Sequence, residues 1–219
     1  MFYKYAHFIL IIIGILIGLA ECYFDRNCSG DYRELLWAGF ILILAIEGFI
    51  IGSLIRKLSI SSHTDFLTGL GNRRYFHLKL DKEKARALKK KTSLCVAMID
   101  VDDFKIVNDT FGHTVGDKII ADLAATLKKN TRSADVVIRW GGDEFAIIFP
   151  ETALAEAYGI MEQIRHEIEA RFHSTYGLTI SGGVVVLEPD QDLEDLIIKA
   201  DQTLYKAKTE KNSVITMAN

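Results

Sequence analysis

Hydrophobic residues follow two regimes along this chain. Up to residue 58 they form long unbroken runs, and beyond it they recur at helix and strand spacing among charges. No Asp, Glu, Lys or Arg occurs from Tyr5 to Ala20, and Glu47 alone interrupts the run from Leu35 to Ile55. A bilayer core takes about 20 apolar residues per helix, so residues 1–58 are expected to form two transmembrane helices. The first runs from Phe2 to Ala20, with Lys4 snorkelling to the interface. Lys4 before the first run and Arg56-Lys57 after the second place both termini in the cytoplasm. The loop between, residues 21–34, carries four acids against two arginines and is read as external. These features describe a multi-pass protein of the inner (cytoplasmic) membrane. A cleaved leader ending near Ala20 is the alternative for the first run. Gly14 with Gly18 and Gly48 with Gly52 form G-x-x-x-G pairs that let helices approach closely, within one chain or between two. Glu47, at mid-span, costs ~2.5–3.5 kcal/mol if charged. Cys22 and Cys28 lie in the external loop, where an oxidising compartment permits a disulfide.

Residues 59–64 are a short stalk, and residues 65–219 show the patterning of a packed domain. Leu94 to Ile99 is a continuous apolar run, expected of a central strand buried on both faces. Val136 to Trp140 and Phe145 to Phe149 are β-branched and aromatic runs flanking Gly141-Gly142, a hairpin with glycine supplying positive φ at its turn. Leu178 to Leu187 and Ser213 to Met217 complete five strands. Helices are expected up to Lys91, from Phe104 to the break at Gly112, on to about Lys129, from Thr152 to Phe172 and from Leu193 to Lys208. Val115, Ile119, Leu123 and Leu127 share one helical face. Leu78, Leu80, Ala85 and Leu88 give the first helix a partial stripe. Cys95, inside the apolar run, reads as a small core residue.

Net charge is −3, so no basic field points to nucleic acid. The candidate chemistry is acidic. The buried run ends in D-V-D-D-F-K, where Asp100 and Asp102 fall on one face of the strand. Asp143 and Glu144 stand at the hairpin turn. Carboxylates at strand ends suit a hard, oxygen-loving cation such as Mg²⁺ that bridges phosphates. Asp103 can cap a helix starting at Phe104, whose free N–H groups can receive phosphate. A capping cluster without metal and a solvated acidic turn are the alternatives for the two motifs. Asn108, His113 and Asp117 gather polar groups around the break at Gly112. No G-x-x-x-x-G-K-[ST], no Cys/His metal spacing and no G-x-S-x-G occurs.

Taken together, D-F-L-T-G-L-G-N-R-R, D-V-D-D-F-K-x-x-N-D, F-G-H-x-x-G-D, R-W-G-G-D-E-F and A-D-Q-T-L-Y-K-A-K resemble the GGDEF family of diguanylate cyclases across residues 65–219. The resemblance implies an α+β fold of the nucleotidyl-cyclase and polymerase-palm type, a mainly antiparallel five-stranded sheet flanked by helices. It implies condensation of two GTP into cyclic di-GMP with release of two pyrophosphates. Two domains must then face each other, so the working unit is a homodimer. By the same resemblance, Asp100, the Val101 carbonyl and Asp143 hold Mg²⁺, with Mn²⁺ as an alternative ion. Asp143 or Glu144 accepts the proton of the attacking hydroxyl. Asn108 and Asp117 recognise guanine, with His113 a nearby substrate contact. The Phe104 backbone and Lys105 side chain contact phosphate. Arg132 and Asp135, in R-S-A-D nine residues ahead of Gly141, match a product-inhibition site. The family continues A-K-x-x-G-R-N where this chain reads A-K-T-E-K-N, one residue shorter and without the glycine, which leaves Lys208 and Lys211 as the phosphate contacts there. A catalytically silent receptor for GTP or cyclic di-GMP, and an ATP-using cyclase, are the rival readings.

Overall fold

The computed structural model describes residues 17, 23, 39–44, 46–54, 63–188 and 190–217. The chain divides into two units, Met1–Ser59 and Ile60–Asn219. In the first, residues 39–44 and 46–54 are helical, with Ile41, Leu42, Phe49 and Ile50 all exposed. Among the described residues no helix is long and apolar enough to cross a membrane. The first expected span, apart from Ile17, lies outside the described residues, as do Cys22 and Cys28.

The second unit is a mixed six-stranded sheet in the order β1-β3-β4-β2-β5-β6. Its strands are β1 (Gly71–Asn72), β2 (Leu94–Val101), β3 (Val136–Gly141), β4 (Glu144–Pro150), β5 (Ile180–Val186) and β6 (Val214–Thr216). The inner pairs are antiparallel, while β1 runs parallel to β3 and β6 parallel to β5. Five strands are therefore one too few. The addition is β1, whose two residues are too short to show any period. Five helices cover both faces: α1 (Arg73–Lys90), α2 (Phe104–Phe111), α3 (His113–Lys129), α4 (Leu154–Tyr176) and α5 (Leu193–Glu210).

Every residue of β2 is buried, as a central strand covered on both faces requires. Cys95, Ala97, Ile99 and Val101 face a core built with α2, α3 and α4. Leu94, Val96 and Met98 face a second core built with α1 and α5. Asp100 continues the second set, so the strand delivers it to the α5 side. On α1 the buried face is Phe76, Leu80 and Ala87, whereas Leu78 and Leu88 are exposed, so the expected stripe is corrected. Asn72 starts this helix by accepting from the Tyr75 N–H at 3.1 Å.

Two neighbouring glycines in β5 show how close the layers come. A Cβ on Gly182 would meet the Met161 Cε at 3.1 Å, the end of a flexible side chain. A Cβ on Gly183 would run into the backbone of α5, at Leu204 N, Thr203 C (2.7 Å) and Ala200 O (2.9 Å). Gly183 is what lets α5 lie directly on the sheet.

Candidate active site

The antiparallel ladder between β2 and β4 ends at the pair Asp100 and Glu144. Residues directly opposite in such a ladder point to the same face. One step further, the Val101 N–H donates to the Asp143 carbonyl at 3.3 Å. The acids of two motifs more than forty residues apart in sequence thus meet at one sheet end. The Val101 carbonyl lies past the last rung shared with β4.

This end of the sheet carries excess negative charge. Burial raises the Asp100 pKa, Lys208 opposes the shift, and Asp143 and Asp102 add to it. Burial also raises Glu144, reinforced by Asp100, Asp143 and Asp201, with Lys208 again opposing. Lys208 comes from α5, its Nζ 2.5 Å from Asp100 Oδ1. One ammonium therefore serves several carboxylates. Asp201, on α5, is itself raised by burial, with Arg73 opposing; no spacing in the sequence marks it as part of this cluster.

Asp102 is spent on structure. Buried, it accepts from the Thr179 hydroxyl (2.7 Å), the Ser181 hydroxyl (2.8 Å) and the Asn212 N–H (2.9 Å). Asp103 does not cap α2 with its side chain. Its backbone is left-handed, at φ 55°, and its carboxylate binds Lys211 at 2.7 Å. The shortened loop after α5 is made without glycine by placing Lys211 (φ 54°) and Asn212 (φ 45°) in left-handed conformations. Asn212 is held there by Asp102, by Glu169 at 2.7 Å and by Arg165 at 2.9 Å.

The hairpin tip is braced from the side. Arg139 donates to the Gly142 carbonyl at 2.9 and 2.7 Å and binds Asp65 at 3.1 Å. Burial disfavours charge on Asp65, but Thr68 and Arg139 outweigh it and hold the carboxyl below its ordinary range. Of the two signature glycines only Gly142 takes positive φ, and a register shift between Arg139 and Gly141 turns the strand. Beside the tip opens a cleft of about 510 Å³ lined by Asp65, Arg73, Asp117, Trp140, Gly141 and Gly142. Arg73 stacks over Trp140, 4.5 Å from the ring centre. Arg73, Arg139 and Trp140 belong to motifs quoted from the sequence, but their roles appear only when β1 and β3 come side by side.

The structure places the other expected residues as follows. Phe104 is half-buried and Lys105 exposed at the start of α2; His113 and Asp117 are exposed on α3. Asn108 is half-buried between the two helices. Arg132 and Asp135 are engaged with each other. The Arg132 Nη2 lies 2.9 Å from the fully buried Asp135 side chain, and it also reaches Thr152 and, through Nη1, Glu156. Arg132 itself is 41% exposed.

Among the described residues no group of three or more His, Cys, Asp or Glu is gathered to hold a metal. The donors proposed from the sequence are two carboxylates and a backbone carbonyl, all oxygen, in a negatively charged end that already draws in a lysine. That set fits a hard divalent cation completing its shell with phosphate and water.

The sequence signature described as "Diguanylate cyclase, GGDEF domain" matches residues 62–213. The chain belongs to the GGDEF family. The response regulator PleD of Caulobacter vibrioides is 40% identical to this GGDEF protein over 163 residues, 71% of this chain and 36% of that one. Diguanylate cyclase DosC of Escherichia coli is 39% identical over 193 residues, 84% of this chain and 42% of that one. The chain thus spans less than half the length of these curated relatives. The coiled coil and GGDEF domain of DgcB from Caulobacter crescentus, solved with c-di-GMP, shares the fold at a TM-score of 0.75 and 30% identity. That likeness covers 83% of this chain and 99% of that one.

Proposed function

We propose that this protein is a membrane-anchored diguanylate cyclase that condenses two GTP into cyclic di-GMP and two pyrophosphates. The observation that carries the reading is the end of the β2–β4 ladder, where Asp100 opposes Glu144 and Val101 is bonded to Asp143. Asp100, the Val101 carbonyl and Asp143 would hold Mg²⁺, which would supply positive charge against the triphosphate. The first N–H groups of α2, with Lys105 and Lys208, would bind phosphate, Lys208 leaving Asp100 to do so. In each half-reaction a 3′-oxygen attacks the α-phosphorus of the other GTP and pyrophosphate leaves. Asp143 or Glu144 takes the hydroxyl proton, and the raised proton affinity of Glu144 favours it. Because each domain would hold one GTP, two chains must face each other.

Anchoring rests on the apolar runs and on the described helical residues of the first unit. Phe40 is half-buried, but Ile41, Leu42, Ile43 and Leu44 are exposed at successive positions, a pattern that calls for lipid or a larger protein surface. The expected arrangement is two spans of the inner membrane with the GGDEF domain in the cytoplasm. Purified protein incubated with Mg²⁺ and GTP should yield cyclic di-GMP and pyrophosphate. GTP bound but unconverted would leave a nucleotide-binding receptor instead.

Feedback inhibition at Arg132 and Asp135 is part of the proposal. Arg132 presents an exposed edge that can take a guanine or phosphate in two-pronged fashion, while Asp135 orients it from beneath. Charge-assisted bonds of this kind contribute about 1.5–3 kcal/mol. Arg132→Ala should therefore raise the inhibitory concentration of cyclic di-GMP by roughly 10- to 100-fold with little change in the uninhibited rate. Titration of product against both proteins checks this, and equal inhibition would remove the assignment.

A further inference from the structure

Gly116 lies buried in the first turn of α3, facing α2. Glycine within a helix costs about 1 kcal/mol relative to alanine, so a buried one asks for a packing reason. Its φ is not positive, so backbone conformation does not supply that reason. The neighbours do. A Cβ on Gly116 would fall on Asn108 Oδ1, with Asn108 Cγ at 3.1 Å and the Phe104 ring at 3.3 Å. The carboxamide of Asn108 thus occupies the volume that any other side chain at position 116 would need.

That carboxamide makes no side-chain hydrogen bond among the described residues, although it is half-buried. Its orientation is set by shape, with the bare Cα of Gly116 below it and the Phe104 ring alongside. An amide held this way keeps its acceptor and donors for a ligand. The next residue along α3, Asp117, is exposed, lines the cleft beside the hairpin tip and adds a carboxylate acceptor. An acceptor and donor from Asn108 with an acceptor from Asp117 complement the N1–H and N2 amine of guanine. They do not complement adenine, and they match hypoxanthine, which lacks the N2 amine, only in part.

We infer that Gly116 is the specificity-determining position of this site: its missing side chain holds the Asn108 amide where a 2-amino purine nucleoside triphosphate can be read. This rests on the reading of the domain as a GTP-using site. Gly116 touches no substrate and works through Asn108, so it is a positioning residue.

A double-mutant cycle on the full-length protein tests the inference, using Gly116→Ala, Asn108→Ala and the two combined. The readouts are kcat and KM for GTP and for inosine triphosphate, with thermal melting as a check on folding. Gly116→Ala is expected to raise KM for GTP at least tenfold, leave kcat within about twofold and erode the preference for GTP over inosine triphosphate. In the Asn108→Ala background the same change should have no further kinetic effect, since the amide it displaces is gone and only the Phe104 ring remains close, at 3.3 Å. Additive losses in the double variant, or parental discrimination in Gly116→Ala, would overturn the inference while sparing the substrate assignment. Unchanged GTP kinetics in Asn108→Ala would overturn the inference alone, whereas a parent protein that does not turn GTP over would overturn the substrate assignment and take the inference with it.

Discussion

With Glu144 as the proposed proton acceptor, replacing it by Gln is expected to cut cyclic di-GMP formation by about a hundredfold or more, the usual loss when such a group is removed. The same change should raise the melting temperature of the metal-free protein. Both effects follow from one arrangement. Glu144 is pushed up by burial and by Asp100, Asp143 and Asp201, against a single opposing lysine. Its ionised form is therefore strained in the fold, and glutamine keeps the shape without the charge. The pH dependence has a definite sign. A carboxyl whose folded pKa exceeds its unfolded value gives stability that is fully present below the unfolded value, near 4.3 for Glu, and lost as pH rises through the folded one. Thermal melts of the metal-free parent should thus decline as pH rises above the ordinary carboxylate range, and the Gln variant should decline less. A variant that melts lower than the parent at neutral pH would show that Glu144 is not under the electrostatic load described.

Gly183→Ala is expected to be the most damaging single methyl group in the domain, costing about 3 kcal/mol or more. Overpacking a core ordinarily costs about 1–3 kcal/mol. Here every close atom belongs to the α5 backbone, so no side chain can turn away. At about 2–4 °C per kcal/mol for a chain of this size, the melting temperature should fall by roughly 10 °C. Gly182→Ala, one residue earlier on the opposite face, meets the Met161 methyl at 3.1 Å and otherwise only ordinary contacts with Val214 and Met98, and should cost less than about 1 kcal/mol. Comparing the two melts checks the argument; equal losses would mean that α5 yields more easily than its contact suggests. Because α5 also carries Lys208 to Asp100, Gly183→Ala should lower turnover even below its melting temperature.

The apolar run of β2 carried the centre of the fold in plain view, because a strand buried on both faces stays apolar until it reaches the site at Asp100. The hairpin was equally legible, since glycine beside β-branched residues has few other uses. What the chain hid were features made by distant partners. β1 is two residues long and exists only because β3 lies beside it. Asp103 has the right identity and place for a helix cap, yet a left-handed backbone and Lys211 claim it otherwise. Leu78 and Leu88 looked like core and are exposed, while Phe76 reaches the core because α1 meets the sheet along another line. Among the acids, Asp100, Asp143 and Glu144 come together at one strand end, whereas Asp102, alike in sequence, ties β2 to β5. Only its three hydrogen-bond partners distinguish it.

Arg139 joins the Gly142 carbonyl to Asp65, which stands among the first residues of the domain. Because Thr68 and Arg139 hold the Asp65 carboxyl below its usual range, that junction stays charged well into mildly acidic solution. The start of the domain and the tip that bears Asp143 are therefore linked through one guanidinium, and a displacement of residue 65 would bear directly on the Gly142 carbonyl.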